Sequence, residues 1–169
     1  MLELAGAALA ALANENEIGL GAIDQAILLN PNLALAFSHR ALVLNRLGRH
    51  DEAIGAAERS IRLSPQDPTA YVSYQAIAIA KLAVGQYETA LSWAERALRD
   101  DAGRPSLNLK LSLCGHLGRP EEARRLLQET EPKPTIVRVR SGWSRNRAGP
   151  AQFLDRLLQG MRKAGVAEE

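Results

Sequence analysis

The sequence predicts an all-α chain of helix–turn–helix units stacked into an α-solenoid. Three observations carry this. The 169 residues are 46% hydrophobic but only 4% aromatic, with Ala and Leu dominant and Glu and Arg between them, a helix-forming vocabulary. The Val and Ile residues are too scattered to build a central sheet. Glycines at 48, 85 and 118 recur at similar intervals, each between two amphipathic stretches, and residues 34–67 make one complete unit of this kind. The length suits a single domain with a real core.

In chain order, residues 2–13 read as a helix. They are apolar and end in an Ala-x-Ala-like string, but Glu3 is the only early charge and a signal peptide needs a positive start. Asn14-Glu15-Asn16 arrives too soon for a membrane span of about 20 residues. Residues 17–29 form a second helix, with Ile18, Ile23, Ala26, Ile27 and Leu29 at helical spacing. Pro31 disfavours helical geometry at Asn30 and stops it. Residues 1–33 are therefore a degenerate first unit.

The second unit, 34–67, places Phe37, Arg40, Ala41, Leu44 and Leu47 along one helix. Gly48 is free to take a positive φ and end it. Asp51 and Glu52 suit the N-terminal dipole of the next helix, and Ala53, Ile54, Ala57, Ile61 and Leu63 follow before Ser64-Pro65. The third unit, 68–104, turns at Gly85 and continues through Glu88, Ala90, Trp93, Ala94 and Ala97. Gly85 lies 37 residues after Gly48, so three residues are in surplus. They are expected in a first helix that begins early at Pro68. Either Gln75 or Ala78 could then face the second helix; Ala78 is favoured because a buried Gln needs partners. The fourth unit, 105–131, turns at Gly118, with Leu107, Leu111 and Cys114 inward from 105–117 and Ala123, Leu126 and Leu127 inward from 120–129.

The tail differs. Residues 132–149 are a basic connector holding Lys133, Arg138, Arg140, Arg145 and Arg147 and no acid, so the net charge of +2 combines an acidic body with a basic strap. Ile136, Val137 and Val139 fit a short strand or one helical turn. Residues 150–165 hold a last amphipathic helix with Phe153, Leu154, Leu157, Leu158 and Met161 on one face, ended by Gly165. Its expected work is to cap the open end of the solenoid.

The pattern ALAFSHRALVLNRLGRHDEAIGAAERSIRLSPQD, with small residues at Ala41, Ala53 and Ser60 and a closing Pro65, resembles the tetratricopeptide repeat of about 34 residues. The resemblance implies a right-handed solenoid in which the first helices of successive repeats line a concave groove that binds a peptide or partner domain. It places Ser38, Leu42, Asn45 and Arg46 of the second repeat there, Gln75 and Ile79 of the third, and Asn108, Ser112 and His116 of the fourth. A groove that clamps a C-terminal carboxylate carries Lys and Asn where this chain has Ser38 and Leu42, so that subtype is disfavoured. Residues 26–41, AILLNPNLALAFSHRA, and 156–166, RLLQGMRKAGV, resemble the C-terminal repeat region of bacterial class III adenylate/guanylate cyclases and related winged-helix regulators. That resemblance implies a signalling module whose catalytic part is not in this sequence.

Catalytic chemistry finds no footing. His39, His50 and His116 have no His, Cys or carboxylate at coordinating spacing, so no metal is expected. No Gly-rich phosphate loop or nucleophile–base arrangement is present, no cofactor is implied, and the chain reads as a non-enzyme. Cys114, the one cysteine, sits among Leu111, Leu113 and Leu117 and reads as a buried thiol in a cytoplasmic protein. The basic connector with Trp143 is a weaker alternative as a nucleic-acid contact. Residues 2–13, apolar almost all round, are expected to pack on another chain or an upstream domain.

Overall fold

A computed structural model of the protein describes residues 16–100, 103–145 and 150–169. Its helices are α1 (Asn16–Leu29), α2 (Ala34–Arg46), α3 (His50–Leu63), α4 (Tyr71–Ala83), α5 (Tyr87–Asp100), α6 (Arg104–His116), α7 (Pro120–Glu129), α8 (Ile136–Arg145) and α9 (Ala151–Lys163). There is no strand among the described residues. The chain is an all-α solenoid. The expectations for residues 2–13 lie outside the described residues, as does the side chain of Trp143.

Each repeat folds where its sequence places a flexible turn. Gly48, Gly85 and Gly118 take φ of +76°, +79° and +65°, a region that residues with a Cβ rarely enter. The turn lets the following backbone N–H reach back: Arg49 donates to Leu44 O and Arg119 to Cys114 O, each at 2.9 Å. The next helix starts at once, with Asp51 and Glu52 or Glu121 and Glu122 in its first turn, where carboxylates suit the helix dipole. Paired helices then meet over alanines with no exposed surface, Ala41 against Ala53 and Ala57 in one repeat, Ala78 against Ala90 and Ala94 in the next.

Within a repeat the first helix packs on the second: α2 on α3, α4 on α5, α6 on α7. Across repeats α2 packs on α4 and α4 on α6, while α3, α5 and α7 make no comparable contact with one another. The first helices therefore pack on one another from repeat to repeat, as the second helices do not, and form the inner layer. The core forms two large clusters, one of α1 to α4 and one of α4 to α9, and a small third one of Ala70, Tyr74 and Ala97; α4 contributes to all three.

The structure corrects one sequence expectation, agrees with a second and decides a third. The surplus residues of the third repeat do not lengthen its first helix, since α2 and α4 each have 13 residues. They lie in the preceding connection, where Asp67 Oδ1 accepts the Thr69 N–H and hydroxyl, each at 2.7 Å; Pro68 opens a turn rather than a helix. The register at Ala78 is as expected, with Ala78 buried and Gln75 turned elsewhere. The segment after Pro134, left open between strand and helical turn, forms the ten-residue α8. Ile136 and Val139, three apart, point inward while Val137 is exposed. The C-terminal tail supplies acceptors at its start: Ile136 N–H donates to Ala167 O and Val137 N–H to Glu168 O, satisfying donors that a helix leaves free. His50 is half-buried as the first residue of α3 and hydrogen-bonded to Asn45.

Candidate protein-binding surface

Helix α9 decides how much of the inner face is open. It covers α6, the inner helix of the last repeat, and it also reaches back over α4. Pro150, just before α9, lies beside Gly48 in the turn of the second repeat, and Arg156 lies beside Gly85 in the turn of the third. Arg156 Nη1 donates to Leu82 O and Ala83 O, the carbonyls at the C-terminal end of α4, where a cation suits the dipole. At the fourth repeat the backbones almost touch. Ser112 and His116 lie against Gly160, and Gly115 against Gly160 and Ala164, so that a Cβ on either glycine would have no room. Phe153, Leu157, Leu158 and Met161 seal the crossing and are buried. The helix is thus not a simple end cap; it packs on two inner helices, α6 and α4, and the residue before it, Pro150, reaches the turn that follows α2.

The nine residues assigned to the groove divide into groups. Asn45 is buried, and its Nδ2 donates to Ala76 O of α4 at 2.8 Å. Its Oδ1 then accepts from His50 Nδ1 at 3.0 Å, which fixes the His50 proton on Nδ1. Gln75 Nε2 donates to Ser106 Oγ of α6 at 2.7 Å. These two side chains fasten each inner helix to the next. Ser38 is buried and its hydroxyl donates to Leu35 O at 2.9 Å. Ser112 is buried beneath Gly160, and its Oγ has no hydrogen-bond partner.

His116 Nε2 donates to Arg156 O at 2.9 Å, and its ring stacks on Tyr87 with centroids 4.3 Å apart and planes 5° apart. Burial lowers its pKa, only partly offset by the carbonyl of Arg156, and the charges of Lys163 and Arg156 lower it further. Leu42, Arg46, Ile79 and Asn108 remain half-buried. Asn108 and Arg46 make no hydrogen bond or ion pair among the described residues, and burial holds the Arg46 guanidinium below its usual pKa.

Charge is sorted between the layers. The inner helices α2, α4 and α6 carry no Asp or Glu, whereas each of the outer helices α3, α5 and α7 carries three. Two inner cations are neutralised from neighbouring helices: Arg40 by Asp24 at 2.7 Å, and Lys110 by Glu95 at 3.1 Å and Glu122 at 2.8 Å. No group of three or more His, Cys, Asp or Glu residues is placed to hold a metal among the described residues. Burial raises the Cys114 thiol to about 11, so it is not a thiolate near neutrality. No described helix is long and apolar enough to cross a membrane.

Models of the tetratricopeptide repeat match residues 32–101 and 76–135. The chain contains tetratricopeptide repeats. The matched stretches span α2 to α7, the part of the molecule in which inner and outer helices alternate. The chain is also 30% identical over 91 residues to the small glutamine-rich tetratricopeptide repeat-containing protein 2 of Mycosarcoma maydis, a match that covers 54% of this chain and 25% of that protein. The chain thus aligns with about a quarter of the length of that curated relative. Tetratricopeptide repeats are generally non-catalytic scaffolds for protein–protein interaction.

Sequence reasoning missed Arg156, Gly115 and Gly160, which seat α9. Two glycines inside otherwise good helices were the available signal, because Gly in a helix interior is costly unless a neighbour needs the space.

Proposed function

We propose that this chain is a protein-interaction scaffold that holds a peptide or partner domain against the inner face of α2 and α4. The single observation that carries the reading is the pairing of an inner layer left partly uncovered by α9 with side chains there, Leu42, Arg46 and Ile79, that are half-buried and not consumed by internal hydrogen bonds. A mixed apolar and cationic strip of this kind fits a short segment laid along the groove. Ser38, Asn45, Gln75, Ser112 and His116 support the surface by shaping it, and Asn108 extends it to the rim of α9.

The test is affinity capture from the source organism with the intact chain and with Leu42→Glu plus Ile79→Glu, read by cross-linking mass spectrometry. A partner whose cross-links map to α2 and α4 and which the double variant fails to capture is the expected result. Capture unchanged by the variant, or cross-links confined to α3, α5 and α7, would overturn it.

A second reading makes the chain the regulatory part of a larger bacterial signalling protein, with a class III cyclase or winged-helix domain upstream. It rests on the resemblance of residues 26–41 and 156–166 to the C-terminal repeat region of those proteins. An in-frame upstream catalytic or DNA-binding domain in the gene is the check.

A further inference from the structure

We infer that the partner segment is acidic, and that it sets an Asp or Glu side chain against Arg46 on the strip between α2 and α4. The inference deepens the scaffold reading and rests on it. Arg46 is the last residue of α2, one turn beyond Leu42 on the same face. It is half-buried, yet no carboxylate or carbonyl among the described residues meets it, although Arg40 and Lys110 of the same layer each have an acid. A cation removed from water without a partner is unfavourable, so Arg46 is poised to gain from a carboxylate arriving with a ligand.

The next inner helix also ends at a cation. Ala83 stands in α4 where Arg46 stands in α2, two residues before the turn glycine, and Arg156 delivers its guanidinium to the carbonyl of that Ala83. Arg46 at the end of α2 and the Arg156 guanidinium at the end of α4 thus each put a cation at the C-terminal end of an inner helix. The inner helices supply no acid to either, and Asp155 of α9 is exposed and forms no ion pair among the described residues. Leu42 and Ile79 flank the strip with apolar surface. The aromatic residues of α2 and α4, Phe37, Tyr71 and Tyr74, lie toward the N-terminal ends of those helices, more than two turns from the level of Arg46. That is too far for a base stacked on them to share a contact with Arg46, so an acidic peptide fits better than a nucleic acid.

Fluorescence anisotropy with synthetic probes tests this. The probes are a labelled Leu/Ala/Glu peptide blocked at both ends, the same peptide with Gln for Glu, the Gln peptide with a free C-terminal carboxylate, and a single-stranded oligonucleotide. At about 0.15 M salt, the Glu peptide should bind saturably and about tenfold more tightly than the blocked Gln peptide, the worth of one charge-assisted hydrogen bond. Arg46→Gln should abolish that difference, Arg46→Lys should keep much of it, and Arg62→Gln on the outer α3 should leave it unchanged; circular dichroism checks that each variant is folded. Equal binding of the Glu and Gln peptides overturns the charge proposal while leaving the scaffold reading intact. Absent binding of the Glu peptide overturns it too. So does tighter, Arg46-dependent binding of the free-carboxylate peptide or the oligonucleotide, since either identifies a different ligand.

Discussion

Replacing Gly160 by Ala is the sharpest perturbation of the α6–α9 crossing. In a free-standing helix this change is stabilising by roughly 0.5–1 kcal/mol, because Gly loses more backbone freedom on folding. Here the new Cβ would stand 2.6 Å from His116 Cδ2 and closer still to the carbonyl and hydroxyl oxygens of Ser112. The Ser112 carbonyl is helix backbone and cannot swing aside. Ordinary contact begins at 3.4 Å, so α9 must back away by about 1 Å or rotate, an overpacking cost of about 1–3 kcal/mol. The movement also strains the bond from His116 to Arg156 O, worth about 1 kcal/mol. After the helix-propensity gain, Gly160→Ala should be net destabilising by roughly 1–3 kcal/mol. Urea denaturation followed by far-ultraviolet circular dichroism reads this directly. Gly21→Ala and Gly55→Ala are the controls: nothing lies within 4 Å of either Cβ, so both should be neutral or stabilising. A Gly160→Ala midpoint at or above that of the parent would refute the close crossing and the placement of α9 with it.

Ala53 has no exposed surface at the α2–α3 contact, and Ala53→Leu should cost about 1–3 kcal/mol; an unchanged urea midpoint would mean that no helix closes over it. His50 and His116 have folded pKa values below 6.5, each first by burial, and Glu122 lies below 4.5, first through its bond to Lys110. For such lowered groups the unfolded chain binds more protons as the pH falls. Stability should therefore be intact above pH 6.5, decline through a first stage below it, and decline again below pH 4.5; His50→Gln with His116→Gln should remove the first stage, which urea midpoints across a pH series will show. Cys114, buried and raised to about 11, should resist alkylation by iodoacetamide at pH 8 in the native state and react at once in urea, as mass spectrometry would record.

The repeat body was legible because its signals are local. A glycine that takes positive φ, acids just after it, and alanines at the helix crossing all lie within one repeat, and each dictates geometry without help from distant residues. Hence α2, α3, α5 and α7 fall close to where their sequences place them. What was not legible depends on partners far along the chain. The Ile-Val-Arg-Val alternation at 136–139 fits a strand or a helix equally until one knows that Ala167 and Glu168 accept its first N–H groups. Asn45 and Gln75 read as groove-lining polar residues, but each spends its amide on the next inner helix, 31 residues away. The inner layer was legible as a face and not as a set of residues: period alone cannot say which side chains on that face are already committed, nor that α9 lies across part of it.

The course of α9 has a mechanical consequence. A helical-repeat solenoid behaves like a spring, flexing by small changes at each inter-repeat joint. Here a stiff rod is laid along its inner side, beside the turn of the second repeat at Gly48, pinned to the third by Arg156 and to the fourth by Gly160. A rod fixed along a spring resists both stretching and tighter coiling, because either motion must slide the fastening points along a helix that does not lengthen. The second to fourth repeats should therefore move as one stiff unit with a fixed radius of curvature. Elastic give is left to the joint between α1 and α2, and a ligand on the inner face must meet a width that has already been set.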